Sequence, residues 1–476
     1  MVVPKIAVCP ICGKKTYLRI EDGSYMYEYP IRIYCLNCHA LIRGVYIMDE
    51  SVGPKGLHLF NAEQLECWVN QGAEREIDAD YLAEISGELP CKKAHVFDGK
   101  LCKSMPYIDA SIQIPDIQRR INELRMFYVN MKEWEQWRSI AFQLLNDDEI
   151  GFVGAALRNK MGQYDYPCSD YLKSLHCLQE VVRQETRYIF VGNSQDKTVG
   201  TLIGQLSTVD KNELHEFIDR LGGFSVIISS YKKIISIFSS FMSVYPNLLP
   251  AETYLQYLRK DDSDLGIATC AFSDIKMYYL DAYEVLLSLM DIVIGFDNYL
   301  VRGSFFKYNE CYTNYYNSNK KIHDRYYSKY MTDDFDRYKA VENGKRADLI
   351  ELGEPIQGIV QIPADRYLRN AISHNTYKYD GLSQVITAYD QRDVTKINLQ
   401  LSLLEMAVDC LALARSTVMF SEIVLFILRQ EESSYRSALH PRYYSDLRRN
   451  DKCPCGSNKK YKNCCMLDVQ SMVSRN

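Results

Sequence analysis

The chain has 476 residues, 47% hydrophobic and 25% charged, which is too long for one ordinary core and too apolar for a disordered chain, so about two to four globular domains are expected. A net charge of −5 excludes a protein that coats nucleic acid through bulk electrostatics, and any RNA or DNA contact must be local. The start MVVPKIAVCPIC has no basic segment followed by an apolar run, and the most apolar stretch, FSVIISSYKKIISIFSSFMSVY, is broken by Lys232 and Lys233. Neither a secretory signal nor a membrane span is expected, and a cytoplasmic protein is the reading.

Residues 1–50 carry Cys9-x2-Cys12, a spacer of 22 residues and Cys35-x2-Cys38. Each pair can turn two thiolates toward one ion, and two such turns close a tetrahedral zinc site of the ribbon kind. The strand-like IRIYC and LIRGVYIM supply its short sheet. With all four positions filled by protein, the zinc is expected to hold a fold together and do no chemistry. Residues 51–112 look mixed α/β, with a turn at SVGPKG and three further candidate ligands, Cys91, His95 and Cys102, more simply read as buried or incidental.

Residues 113–262 read as a helical domain, because apolar residues recur every three or four positions in DIQRRINELRMFYVNMKEWEQWRSIAFQLL. The neighbours His176 and Cys177 could be reactive, but a helix interior suits them better. Residues 263–432 form the next predicted domain. A long helix capped by Ser273 carries Ile275, Tyr279, Ala282, Leu286, Leu289, Val293 and Phe296 on one face. A Tyr-rich insertion, residues 304–345, interleaves aromatic rings with cations, which suits either single-stranded RNA or a solvated loop. A second long helix is predicted to begin near Thr395, with Ile397, Leu401, Leu404, Val408 and Leu411 on its stripe.

Between these two helices lies RYLRNAISHNTYKYD. Asn370 and His374 are four apart and share a helical face, and the long Arg369 side chain can reach the same target. The helix is expected to end close to His374, because NTYKYDG is turn-like and SQVITAYDQRDV looks like a hairpin. An imidazole can take or give a proton in the neutral range, and a fixed cation beside it can stabilise charge growing on a phosphoryl oxygen. With RNA the 2′-hydroxyl is the nucleophile, so no metal is needed; one histidine per chain would be completed by a second copy. The plainer alternative pairs Arg369 with Asp365 and uses His374 to cap helix carbonyls.

LRNAISHNTY, set between long helices, resembles the R-x4-6-H motif of the HEPN superfamily over roughly residues 265–430. That resemblance implies a helical bundle that dimerises around a shared cleft and cuts RNA without metal, in antiviral abortive-infection or toxin-type systems. It would make His374 the general acid or base, Arg369 the stabiliser of the phosphorane and Asn370 the orienting group. Some HEPN-like domains are silent adaptors, which keeps a zinc-bearing docking protein as the alternative.

The tail DKCPCGSNKKYKNCCML, within residues 448–468, carries Cys453-x-Cys455, then eight intervening residues, then the adjacent Cys464 and Cys465. It resembles the SEC-C zinc motif, departing at Asn458, where glycine is usual, and at Cys465, where histidine is frequent. The resemblance implies a second structural zinc and docking to a ribosome or chaperone; a phage-protein trigger acting through the zinc modules is a further candidate partner. The flanking Arg448, Arg449, Lys452, Lys459, Lys460 and Lys462 make that end locally basic. Taken together, the expected fold is mainly α: a HEPN-like bundle and a central helical domain, with small zinc modules at the termini.

Overall fold

The computed structural model describes residues 2–22, 26–67, 77–99, 105–147, 171–186, 194–259, 264–307, 334–339, 352–353, 356–360, 366–431, 448–451, 459–463 and 466. Most of the Tyr-rich insertion lies outside the described residues, as do Cys102, Asp365 and the tail cysteines Cys453, Cys455, Cys464 and Cys465. In chain order the elements begin with β1 (Val2–Val8), β2 (Lys15–Glu21), β3 (Glu28–Tyr34), β4 (Leu41–Ile47), β5 (Gly56–Leu59), β6 (Glu63–Glu66), β7 (Tyr81–Ile85), β8 (Cys91–Lys92) and β9 (His95–Val96). Helices α1 (Pro106–Gln113), α2 (Ile117–Asp147), α3 (Tyr171–Thr186), α4 (Ser194–Leu206), α5 (Lys211–Leu221) and α6 (Phe224–Tyr254) come next. After β10 (Leu265–Gly266) follow α7 (Phe272–Arg302), α8 (Asp334–Lys339), α9 (Ile356–Ile359) and α10 (Arg366–His374). The series closes with β11 (Tyr377–Asp380), β12 (Val385–Tyr389), β13 (Ile397–Ser402), α11 (Leu403–Glu431) and a 3-10 turn at Tyr461–Asn463.

Helical residues outnumber strand residues among those described, but the strands form four sheets, so the expectation of a mainly α chain is corrected to mixed α/β. The chain divides into two compact units, Met1–Tyr128 with Ser240–Glu284 and Ile362–Ala414, and Val129–Ser239 with Val285–Gln361 and Arg415–Asn476. Every described strand falls in the first unit. Strands far apart in sequence complete its sheets, which is why a local reading underweights them.

In that first unit one sheet has the order β6-β1-β2-β7-β9 and another β3-β4-β5. β3 buries Tyr29, Ile31 and Ile33 and turns the intervening residues outward, the period-two pattern of a half-covered strand. Arg19 and Glu84 face each other across β2 and β7 at 2.6 Å, both buried. Deeper still, Arg120 near the start of α2 meets the fully buried Glu252 of α6, and Phe127 packs edge-on to Tyr245 at 4.2 Å. Cys91 is buried with its thiol against the Leu89 carbonyl, while His95 is exposed on β9. Among the described residues these two join no metal-ligand cluster.

Helices make up the described part of the second unit. Gln179 donates to Ser421 Oγ at 2.7 Å and to Glu422 at 2.8 Å, and accepts from the Tyr231 hydroxyl at 3.1 Å, so three helices share one buried polar network. His176 and Cys177 are buried in α3, the helix interior the sequence suggested. Two helical stretches, Ser225–Tyr254 and Leu403–Leu428, are long and apolar enough to cross a membrane, but 67% and 89% of those windows are buried inside the protein.

The predicted apolar face of α7 is realised, with Ile275, Tyr279, Ala282, Leu286, Leu289, Val293 and Phe296 all buried. Its cap is not Ser273. The Asp274 carboxylate accepts the Ala271 N–H at 3.0 Å, the return arm of a capping box, and adds negative charge at the helix start. The helix expected from Thr395 begins instead at Leu403, and Ile397–Ser402 is β13, with Leu401 opposite Ile386 and Leu399 opposite Ala388. The start signal is Ser402-x-x-Glu405. Ser402 Oγ accepts from the Glu405 N–H at 3.1 Å, and the Glu405 carboxylate accepts from the Ser402 N–H at 2.6 Å. Likewise the turn-like NTYKYDG contains β11, which pairs with β12 from Tyr377↔Ala388 to Asp380↔Val385.

Candidate functional site

Two groups of residues carry chemistry, both within the first unit. The hairpins β1–β2 and β3–β4 each turn over a Cys-x2-Cys, because the registers close at Val8↔Lys15 and Tyr34↔Leu41. The two turns are built alike. Gly13 N–H donates to the Cys9 carbonyl at 3.0 Å and Cys9 N–H to Lys14 at 2.9 Å; His39 N–H donates to Cys35 and Cys35 N–H to Ala40, each at 2.9 Å. Gly13 (φ 70°) and His39 (φ 61°) occupy the same left-handed position. Only the first is a glycine, so His39 carries the cost of a conformation that L side chains disfavour. His39→Gly is therefore expected to raise thermal stability by about 0.5–1 kcal/mol, read as an upward melting shift in the metal-loaded protein.

The Sγ atoms of Cys9, Cys12, Cys35 and Cys38 all lie within 4.8 Å of one another. Cys9 and Cys38 are 3.4 Å apart and Cys12 and Cys35 3.5 Å. A tetrahedron with zinc–sulfur arms of about 2.3 Å has edges of roughly 3.8 Å, so the donor set fits that ion. The thiols differ before an ion arrives. The Lys14 backbone N–H pulls the Cys12 thiol down to about 6, whereas burial pushes Cys35 up to about 12. Metal uptake must displace the Cys35 proton, so affinity rises with pH.

The second group sits on α10, anchored by buried Leu368, Ala371 and Ile372 and packed on β12 and β13. Asn375 is left-handed (φ 56°) just past the helix. Its N–H donates to the Ile372 carbonyl at 3.3 Å, and Thr376 N–H donates to the Ala371 carbonyl at 2.9 Å. This is the Schellman pattern, with asparagine where glycine is commonest. The backbone thus satisfies these carbonyls without His374, and the exposed imidazole at the helix end is not consumed by capping.

Arg369 is half-buried and points to a partner that sequence spacing missed. Its Nε and Nη2 both reach the Glu284 carboxylate on α7, and Nη1 donates to Asn370 Oδ1 at 2.7 Å. Glu284 is 85 positions away, on the polar side of α7, so no local pattern links it to Arg369. A guanidinium has five N–H donors, and this clamp holds one edge while leaving outer donors of Nη1 and Nη2 for an anion. Asn370 and His374 share the α10 face by their spacing. The structure thus brings Arg369, Asn370 and Glu284 into one hydrogen-bonded group and places His374 at the exposed end of the same helix.

At the C-terminus, Tyr461 N–H donates to the Asp451 carbonyl at 2.8 Å and Lys462 N–H to Arg449 at 2.9 Å, pinning the two described stretches together, with Tyr461 and Met466 buried. Residues 449–467 match the SEC-C motif. The first unit's four-cysteine cluster and this motif are both of the zinc-binding type. No solved structure matches the chain.

Proposed function

We propose that the chain is a metal-independent endoribonuclease of the HEPN type, acting in the cytoplasm in a bacterial antiviral (abortive-infection) or toxin-type system. The observation that carries this reading is the Glu284–Arg369–Asn370 clamp on a short helix that ends at an exposed, uncommitted His374. Two copies would supply the acid and the base of one cleft. One His374 removes the proton from a ribose 2′-hydroxyl, whose oxygen bonds to phosphorus while the bond from phosphorus to the 5′-oxygen breaks. His374 of the partner subunit protonates that leaving oxygen. Arg369 stabilises the charge on the pentavalent phosphorus, a task for its free N–H groups. Glu284 and Asn370 hold the guanidinium in place. The two cysteine sets each hold a structural zinc that takes no part in the reaction.

The product end tests the route. Purified protein incubated with RNA in magnesium-free buffer is expected to leave fragments with 2′,3′-cyclic phosphate ends. Cleavage that strictly requires added magnesium and leaves 3′-hydroxyls would end the proposal. A second reading, favoured by the SEC-C match, is a zinc-bearing adaptor that docks to a ribosome, chaperone or nucleic acid. It predicts no fragments under either condition.

A further inference from the structure

The residue directly before the ligand Cys35 is Tyr34, the last of β3. Its ring stands edge-on to Tyr379 of β11 at 6.0 Å. It also fills the space beside the β11–β12 turn, where a Cβ on Gly381 would meet the ring at 2.5 Å. Tyr379 in turn stacks on Phe272 at 5.5 Å, and Phe272 meets Tyr377 at 5.1 Å. Two residues upstream, Arg32 N–H donates to the Ala268 carbonyl at 2.7 Å, and its Nε donates to Asp274 Oδ2 at 2.9 Å. That same oxygen accepts the Ala271 N–H that starts α7.

One strand, running directly into a cysteine of the metal cluster, therefore braces two elements. The first is the start of the helix that carries Glu284. The second is the sheet entered from α10, where the Tyr389 N–H of β12 donates to the carbonyl of Thr376, the residue that closes the α10 cap. Four thiolates around one ion fix the Cys35–Ala40 turn, and free energy of metal binding is folding free energy at such a site. Without the ion that turn and the end of β3 lose their anchor, and Tyr34 loses its fixed position.

We infer that metal loading of the Cys9/Cys12/Cys35/Cys38 cluster controls the order of the α10 C-terminal cap, with Tyr34 as the transmitting side chain. The inference adds regulation to the α10 site proposed above, but its test requires no RNA. Hydrogen exchange of the full chain is followed by mass spectrometry for wild type, Cys38→Ser, Tyr34→Leu and, as a control, Cys464→Ser, with zinc content measured on each. In Cys38→Ser, peptides spanning 371–389 are expected to exchange at least about tenfold faster. Tyr34→Leu should keep its zinc yet show a comparable rise over the same peptides, and Cys464→Ser should not. Unchanged exchange over 371–389 in zinc-loaded Tyr34→Leu overturns the coupling even if Cys38→Ser unfolds more widely. An equal rise in Cys464→Ser overturns it too, because the effect would not belong to this cluster. Absence of RNA cleavage would remove the ribonuclease reading and leave the exchange result standing.

Discussion

His374→Ala is expected to slow RNA cleavage by about 10² to 10⁴-fold, the usual worth of a positioned general acid or base. Stability should change by no more than about 0.5 kcal/mol, because the side chain is exposed and the helix cap is made by the backbone of Asn375 and Thr376. Initial rates on a labelled single-stranded RNA, with a melting curve for each protein, separate the two effects. Equal rates for wild type and variant would leave the adaptor as the surviving account. Arg369→Lys makes a sharper companion, since an ammonium keeps the charge but cannot present one edge to Glu284 and another to phosphate.

Glu252→Ala should destabilise the protein by up to about 3 kcal/mol, because it removes the fully buried carboxylate from the Arg120 guanidinium and leaves that charge only the partly exposed Glu123 at 3.2 Å. Folded proteins are stable by only about 5–15 kcal/mol, so this single change removes a large share. The side chains of Arg120 and Glu252 are 5% and 0% exposed, so water cannot screen the loss. Replacing both, as Arg120→Met with Glu252→Leu, should cost far less, since no lone charge stays buried. Urea midpoints of the three variants against wild type test this. A double variant as unstable as Glu252→Ala would mean that shape, not charge, decides the site.

The sequence already carried several of these features in local form. Both Cys-x2-Cys pairs, the apolar face of α7, the end of α10 at His374 and the SEC-C tail are short-range patterns, and each is where the spacing put it or matches a known motif. Even the start of α11 was present as Ser402-x-x-Glu405, although a run of helically spaced apolar residues from Ile397 masked it. Such signals work because a cap, a metal turn or an amphipathic face is completed by residues a few positions apart.

What only the folded chain decided is long-range. β13 is a strand because Val385–Tyr389 lies beside it, and the fold is mixed α/β because strands from three separate stretches of sequence gather in one unit. Glu284 became the partner of Arg369, and Tyr34 came to rest against Gly381, through contacts that no local spacing encodes. Local stereochemistry writes helices, turns and ligand pairs into neighbouring residues, whereas the choice of which charged or aromatic groups meet depends on where packing brings distant backbones together.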